Sequence, residues 1–111
     1  MEILICDDDS ATRECLTELF RLHGHQTAAC GTVEAAEAML PYVQAVVCDG
    51  LGGDCFDLVA SAEALGVPIV IYTASDEIAA AARAVRVPAV LKPAGAEELL
   101  AALPTAMAEV P

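Results

Sequence analysis

Three consecutive carboxylates, Asp7-Asp8-Asp9, follow a short apolar run at the start of the chain. Neighbouring carboxylates repel one another, so this row is costly unless a cation or a lysine lies close to it. Three later apolar runs also end in polar residues that could take part in chemistry, namely Asp49, Thr73 and Lys92. The ends of the four apolar runs therefore carry carboxylates, one hydroxyl and one amine.

These residue types together suit the transfer of a phosphoryl group. Asp7, Asp8 and Asp49, with a nearby backbone carbonyl, would form an oxygen-rich site of the kind that Mg²⁺ prefers. With a metal present, a neighbouring carboxylate can act as a nucleophile towards phosphorus. A lysine and a hydroxyl can hold the phosphoryl oxygens and stabilise the charge that develops during transfer. This chemistry requires a fold that brings the ends of the four runs together.

Short apolar runs alternate with helical patterns along the whole chain. Continuous runs rich in Val and Ile are typical of strands buried on both faces of a parallel sheet. The four clear runs are Glu2–Cys6, Gln44–Cys48, Val67–Tyr72 and Ala89–Leu91, and a weaker run at His25–Ala29 is predicted to be an edge strand. Five strand–helix repeats predict an α/β fold with an open parallel sheet and helices on both faces. Ligands bind such sheets beyond the carboxyl ends of the strands, where the polar residues are expected to converge.

The ends of the predicted helices are assigned from residues that commonly begin or end helices. Ser10, Thr32 and Ser75 are the expected N-caps of the first, second and fourth helices. Glycine or proline marks the expected C-terminal ends of the first three, at Gly24, Pro41 and Gly66. Leu58, Ala62 and Leu65 are the expected apolar face of the third helix. The fifth helix is predicted from about Ala96, with Pro104 near its end, and Asp9 is interpreted as a solvated carboxylate in the first turn of the first helix.

Composition and charge narrow the classes of function. A chain that is 57% hydrophobic and 20% charged is expected to fold around a packed interior. Its 111 residues predict one domain over 1–111, with a core to about 103 and a tail at 104–111. The formal net charge of −12 repels phosphate backbones, so direct nucleic-acid binding is not expected. No stretch resembles a membrane span or a signal peptide, and a cytoplasmic location is predicted.

The cysteines and histidines of the chain form no metal-binding sequence motif. Five cysteines and two histidines show none of the short paired spacings that a zinc site needs. The cysteines are interpreted as reduced thiols that act as small apolar side chains, and Cys48 as a packing residue of its strand. His23 and His25 are interpreted as ordinary surface residues.

Four segments, ILICDDDSATRE, VVCDG, IVIYTAS and AVLKP, resemble the signature blocks of response-regulator receiver domains of two-component signalling, in the same order. The resemblance extends from Met1 to about Leu103. It implies a flavodoxin-like (βα)5 fold, that is, a doubly wound parallel five-stranded sheet with strand order 2-1-3-4-5. The Gly-rich turn after Asp49 is similar to that of short, single-domain receivers.

The resemblance implies a role for each matching position at the metal. Asp49 matches the phosphoacceptor, which also contacts Mg²⁺. Asp8 matches the carboxylate that binds the metal directly, and Asp7 matches its partner, which commonly acts through water. Leu51 matches the position whose backbone carbonyl completes the metal site. No other cofactor is implied.

The remaining matches concern the phosphoryl group. Thr73 matches the switch hydroxyl, assisted by the backbone amide of Ala74, and Lys92 matches the lysine that pairs with the phosphoacceptor. The family's Lys–Pro bond is usually cis, which predicts a cis bond before Pro93. One position departs from the pattern, because Ala89 stands where receivers commonly carry the aromatic part of the switch.

The implied function is that of a phosphoacceptor in a His–Asp phosphorelay. A sensor histidine kinase or a histidine phosphotransfer protein would donate the phosphoryl group, and the chain would act as a switch or a phosphate shuttle rather than as an enzyme. Its downstream protein target stays open, as does pairing between two copies. The alternative is a degenerate receiver that binds proteins without phosphate. A Mg²⁺-dependent phosphatase of similar architecture fits less well, because the segment Gly50-Leu51-Gly52-Gly53 places no acid two residues after Asp49.

Overall fold

The computed structural model describes residues 1–103, so the predicted tail at 104–111 and the predicted helix end at Pro104 lie outside the described residues. Five strands and five helices alternate along this part of the chain. The strands are Glu2–Cys6 (β1), Gln26–Cys30 (β2), Ala45–Cys48 (β3), Ile69–Thr73 (β4) and Ala89–Leu91 (β5). The helices are Ser10–Leu22 (α1), Val33–Met39 (α2), Cys55–Leu65 (α3), Asp76–Ala84 (α4) and Ala96–Ala102 (α5), with 3₁₀ turns at Leu40–Tyr42 and Leu51–Gly53.

All five strands are parallel and lie in the order β2-β1-β3-β4-β5, which confirms the predicted doubly wound sheet. The order reverses next to β1, so the crevice expected in such sheets opens between the ends of β1 and β3. In register, Cys6 lies beside Cys48, and Cys48 lies beside Ile71. Strand ends that align in this way place the residues that follow them at one edge of the sheet.

The strand bounds differ slightly from the predicted ones. β2, predicted at His25–Ala29, lies one residue later, and it is an edge strand as expected. β3 starts one residue later than predicted. β4 begins only after Pro68, which has no amide hydrogen to donate to a ladder, and it includes Thr73 because this residue still pairs with Leu91 of β5.

Two of the predicted N-caps are confirmed, and one is wrong by a residue. The side chains of Thr32 and Ser75 accept hydrogen bonds from the backbone amides of α2 and α4. The N-cap of α1 is Asp9 rather than Ser10, because Asp9 has extended backbone angles and its carboxylate accepts a hydrogen bond from the amide of Thr12. Asp9 therefore lies just before the helix and not in its first turn.

The core forms two layers, one on each face of the sheet. One layer packs the sheet against α2, α3 and α4, and the other packs it against α1 and α5, around Phe20 and Leu99. Leu65, which the pattern places on the apolar face of α3, is 56% exposed, so this part of the prediction is wrong. The buried stripe of α3 runs through Cys55, Leu58 and Ala62 at helical spacing, and its next position is Gly66 rather than Leu65.

The cysteines are all free thiols. Four of them are buried, which confirms their interpretation as apolar packing residues, but Cys15 is exposed because it lies on the solvent side of α1 next to the buried Leu16. Across residues 1–103, no helix is both long and apolar enough to cross a membrane.

Candidate functional site

The predicted polar residues lie together at the carboxyl edge of the sheet. Asp7 follows β1, Asp49 follows β3, Thr73 ends β4 and Lys92 follows β5. The aligned strands hold the backbone here, since the amide of Asp49 donates to the carbonyl of Cys6 and the amide of Lys92 donates to the carbonyl of Thr73. Residues up to 85 positions apart in the sequence thus meet in one site.

Lys92 lies at the centre of the charged cluster. Its ammonium donates to Oδ2 of Asp7 at 3.0 Å and to Oδ1 of Asp49 at 2.8 Å. Partial burial alone would lower the pKa of Lys92, but the hydrogen bonds to Asp49 and Asp7 outweigh it and raise the pKa above its ordinary value. The lysine is therefore charged over the whole physiological range and holds the two carboxylates together.

The other oxygens of these two carboxylates accept backbone hydrogen bonds. Oδ1 of Asp7 accepts from the amide of Asp9 at 2.9 Å, and Oδ2 of Asp49 accepts from the amide of Leu51 at 3.1 Å. Asp7 is only 2% exposed, so its orientation depends on these partners. Asp49 is half-buried and Asp8 is exposed, which leaves both open to a ligand.

The carboxylates of Asp7, Asp8 and Asp49 fit a small divalent cation. One oxygen from each lies within 4.8 Å of the others. Three formal negative charges face the single positive charge of Lys92, and the excess of two matches a cation such as Mg²⁺. The carbonyl of Leu51 accepts a hydrogen bond from the amide of Asp54 at 3.1 Å, so one of its two lone pairs is already used.

A groove of about 810 Å³ opens beside Asp8, between α2 and α3. Four further acidic side chains line it: Glu34, Glu37, Asp54 and Asp57. Their negative potential favours the approach of cations to the carboxylate cluster.

Thr73 is 3% exposed, and its hydroxyl accepts a hydrogen bond from the amide of Ser75 at 3.0 Å. It lies against Gly50, where a Cβ atom would stand 3.0 Å from the Thr73 oxygen and 2.9 Å from Cδ1 of Ile78. A side chain at residue 50 would therefore have to displace the end of the Ile78 side chain and shift the Thr73 hydroxyl by a few tenths of an ångström. Ala74 is exposed at the rim of the site.

Two neighbours of the site were not singled out from the sequence. Arg13 of α1 donates to the backbone carbonyl of Asp7 at 2.7 Å, which helps to fix the turn that carries the acidic row. Tyr72 lies under Lys92, with its ring centroid 5.4 Å from the ammonium. A signal existed for Tyr72, because it is an aromatic residue within an otherwise aliphatic run directly before Thr73.

Two family-based expectations concern β5 and the residues that directly follow it. The bond between Lys92 and Pro93 is cis, as predicted. Ala89, at the position of the missing aromatic residue, is half-buried against the core, and its carbonyl accepts a hydrogen bond from the guanidinium of Arg83 at 3.0 Å.

Solved structures similar to this chain include response regulators and receiver domains. A response regulator from Burkholderia pseudomallei, solved with a phosphorylated aspartic acid, a calcium ion and citrate, is 26% identical, and the match covers 97% of this chain and 69% of that one with a TM-score of 0.78. A CheY-like receiver domain from Methanospirillum hungatei is 22% identical over 90% of this chain and 87% of its own, with a TM-score of 0.73. A two-component response regulator from Clostridium difficile is 21% identical over 91% and 90%, with a TM-score of 0.77.

No protein-family model matches the sequence, and no curated protein matches it significantly. The assignment therefore depends on tertiary structure and on the motifs at the strand ends. The chain has the CheY-like receiver fold of response regulators, as those motifs predicted.

Proposed function

We propose that this chain is a phosphoacceptor of a His–Asp phosphorelay and that Asp49 carries the phosphoryl group. The observation that carries the proposal is the ion-paired arrangement of Lys92 with Asp7 and Asp49 at the carboxyl edge of the sheet, beside the exposed Asp8. A purely structural lysine would need no such cluster of carboxylates at a topological switch point.

The reaction would take its phosphoryl group from a phosphohistidine of a sensor kinase or a phosphotransfer protein. The phosphorus–nitrogen bond breaks while a bond forms between phosphorus and a carboxylate oxygen of Asp49, and the released imidazole takes up a proton. Slow hydrolysis of the resulting acyl phosphate returns Asp49. The chain thus supplies one acceptor group and acts as a signalling switch rather than as a turnover enzyme.

The residues around Asp49 have distinct roles in this proposal. Lys92, already 2.8 Å from Asp49, would donate to the transferred phosphoryl group. The Thr73 hydroxyl and the Ala74 amide would bind another phosphoryl oxygen. Mg²⁺ bound by Asp7, Asp8, Asp49 and the Leu51 carbonyl would supply neutralisation of charge on the phosphoryl oxygens.

The direct test is phosphorylation by acetyl phosphate, followed by mass spectrometry of the intact protein. We expect one added phosphoryl group in the presence of Mg²⁺, a strong reduction when Mg²⁺ is chelated, and no labelling of Asp49→Asn. Asp54→Asn is a matched control, because it changes a nearby exposed carboxylate outside the cluster and should be labelled like the wild type.

A folded wild-type protein that takes up no phosphoryl group with Mg²⁺ present would contradict the proposal. That result would favour a receiver fold that binds its partner without phosphate. Labelling that persists in Asp49→Asn would instead place the acceptor elsewhere.

A further inference from the structure

Tyr72 contacts the turn that carries Lys92 at two points. Its hydroxyl accepts a hydrogen bond from the amide of Ala94 at 2.8 Å and donates one to the carbonyl of the same residue at 3.2 Å. Its ring lies 5.4 Å from the Lys92 ammonium, within the range of a cation–π interaction. The phenol thus holds the backbone two residues beyond Lys92 while the ring lies under its charged end.

Thr73, the residue of β4 next to Tyr72, also binds the turn. The carbonyl of Thr73 accepts the amide of Lys92 at 2.9 Å. Segment 92–94 is therefore tied to two consecutive residues of β4, through the backbone of Thr73 and the side chain of Tyr72. This matters because β5 has only three residues and ends immediately before Lys92, so the sheet itself provides little restraint there.

Tyr72 is itself firmly held. It is 6% exposed and packs in the layer between the sheet and helices α1 and α5. The ring and the hydroxyl are therefore fixed relative to β4 before any ligand arrives. A rigid aromatic ring with both polar contacts satisfied is well suited to orient a flexible lysine side chain.

We propose that Tyr72 is a positioning residue for phosphoryl transfer, acting through Lys92 by fixing the turn 92–94 and by supporting the ammonium. This inference rests on the proposed function, in which Lys92 binds the transferred phosphoryl group. It assigns the task of holding Lys92 to a β4 residue on the opposite face of the strand from Thr73.

The test compares Tyr72→Phe with Tyr42→Phe. Each variant removes one phenolic hydroxyl, but Tyr42 is 81% exposed in the 3₁₀ turn after α2 and serves as the matched control. The initial rate of labelling by acetyl phosphate with saturating Mg²⁺ should fall about three- to tenfold in Tyr72→Phe, as expected for loss of a buried hydrogen-bonded pair, and should not change in Tyr42→Phe.

A second measurement does not depend on phosphorylation. Lys92 is the only lysine of the chain, so selective isotope labelling of lysine gives a single set of side-chain NMR signals. In the wild type, the ε-protons of Lys92 should show nuclear Overhauser contacts to the Tyr72 ring and a ring-current shift. Both should weaken in Tyr72→Phe, disappear in Tyr72→Leu if that variant folds, and persist in Tyr42→Phe.

The two measurements separate the possible results. An unchanged labelling rate in folded Tyr72→Phe, or lysine signals identical to those of the wild type, would overturn the positioning role. A wild-type protein that cannot be labelled would refute the proposed function instead, and the lysine signals alone would then decide whether Tyr72 orients Lys92.

Discussion

At the scale of single residues, the site depends on one cation shared by two carboxylates. Lys92 contacts both Asp7 and Asp49, and each carboxylate uses its second oxygen for a backbone amide. Losing the lysine would leave the buried Asp7 without its charged partner, which is costly in a poorly solvated position. The same residue is therefore expected to serve both stability and chemistry.

The raised pKa of Lys92 gives a pH-dependent prediction. A group whose pKa is higher in the folded than in the unfolded state contributes stability that is complete below its ordinary value of 10.5 and is lost as the pH rises through the folded value. Without Mg²⁺, the wild type should exceed Lys92→Met in free energy of unfolding by a constant amount from neutral pH to about pH 10, and by less at higher pH.

Urea denaturation of both proteins at neutral pH and near pH 11 measures this difference. Comparison of two proteins at each pH removes the effects of alkaline pH that both share. A difference in stability that stays constant across the alkaline range would show that the ion pairs of Lys92 do not contribute as the geometry indicates.

At the scale of elements, each site residue is positioned by the end of a strand or the start of a helix. The turn between β1 and α1 carries three acidic residues with separate tasks: Asp7 faces the lysine, Asp8 faces solvent, and Asp9 caps α1. The cap fixes where the helix begins and so fixes the geometry of the turn. Replacing Asp9 should therefore affect the helix more than the charge cluster.

Capping distinguishes Asp9 from its neighbour Ser10. Asp9→Ala should lower the thermal midpoint clearly, because the carboxylate accepts from both the amide and the hydroxyl of Thr12, whereas Ser10→Ala should have little effect. The hydrogen bond from the Thr12 hydroxyl lowers the pKa of Asp9. The difference between wild type and Asp9→Ala should thus be present above the ordinary pKa of 3.8 and diminish as the pH falls below it.

Thermal denaturation followed by far-ultraviolet circular dichroism, at neutral and acidic pH, gives the comparison. If Ser10→Ala proved to be the more destabilising substitution, the assigned start of α1 would be incorrect.

At the scale of the whole molecule, the main feature is an excess of negative charge. The net charge is −12, and a cluster of carboxylates lies next to an acidic groove. Self-repulsion of this kind destabilises the compact state, and a cation bound only by the folded protein offsets it.

Mg²⁺ should therefore stabilise the protein against unfolding. For a single site, a tenfold excess of free Mg²⁺ over its Kd would add about 1.4 kcal/mol to the free energy of unfolding. Asp8→Asn should remove most of this gain, because Asp8 is a proposed direct ligand. Glu34→Gln is the matched control in the adjacent groove and should keep the gain.

Urea unfolding with and without MgCl₂, at an ionic strength held constant with NaCl, separates binding from screening. An equal stabilisation by NaCl alone, or a full Mg²⁺ effect in Asp8→Asn, would argue against a metal bound by these carboxylates.

Much of the fold followed from the sequence, because its signals are local. Continuous apolar runs separated by helical patterns and capping residues predict five strand–helix units, and the motifs at the run ends implied the strand order that the structure has. Most of the errors lie at element ends, although the exposed Cys15 lies within α1. The start of α1 depends on which of two adjacent capping candidates, Asp9 or Ser10, accepts a hydrogen bond, and residue type alone does not rank them. The end of β4 depends on the pairing of Thr73 with Leu91 of another strand.

Tertiary structure determined which residues of the site contact one another. The sequence offered Asp7, Asp8, Asp49, Thr73 and Lys92 as candidates, but only the parallel register of four strands brings the lysine within 3.0 Å of two carboxylates. The tertiary structure also revealed the close approach at Gly50 and the hydrogen bond between Tyr72 and Ala94. Contacts of this kind between distant segments leave no periodic signal in the sequence. The sequence by itself thus determined the elements and the types of reacting group, and long-range packing determined their partners and distances.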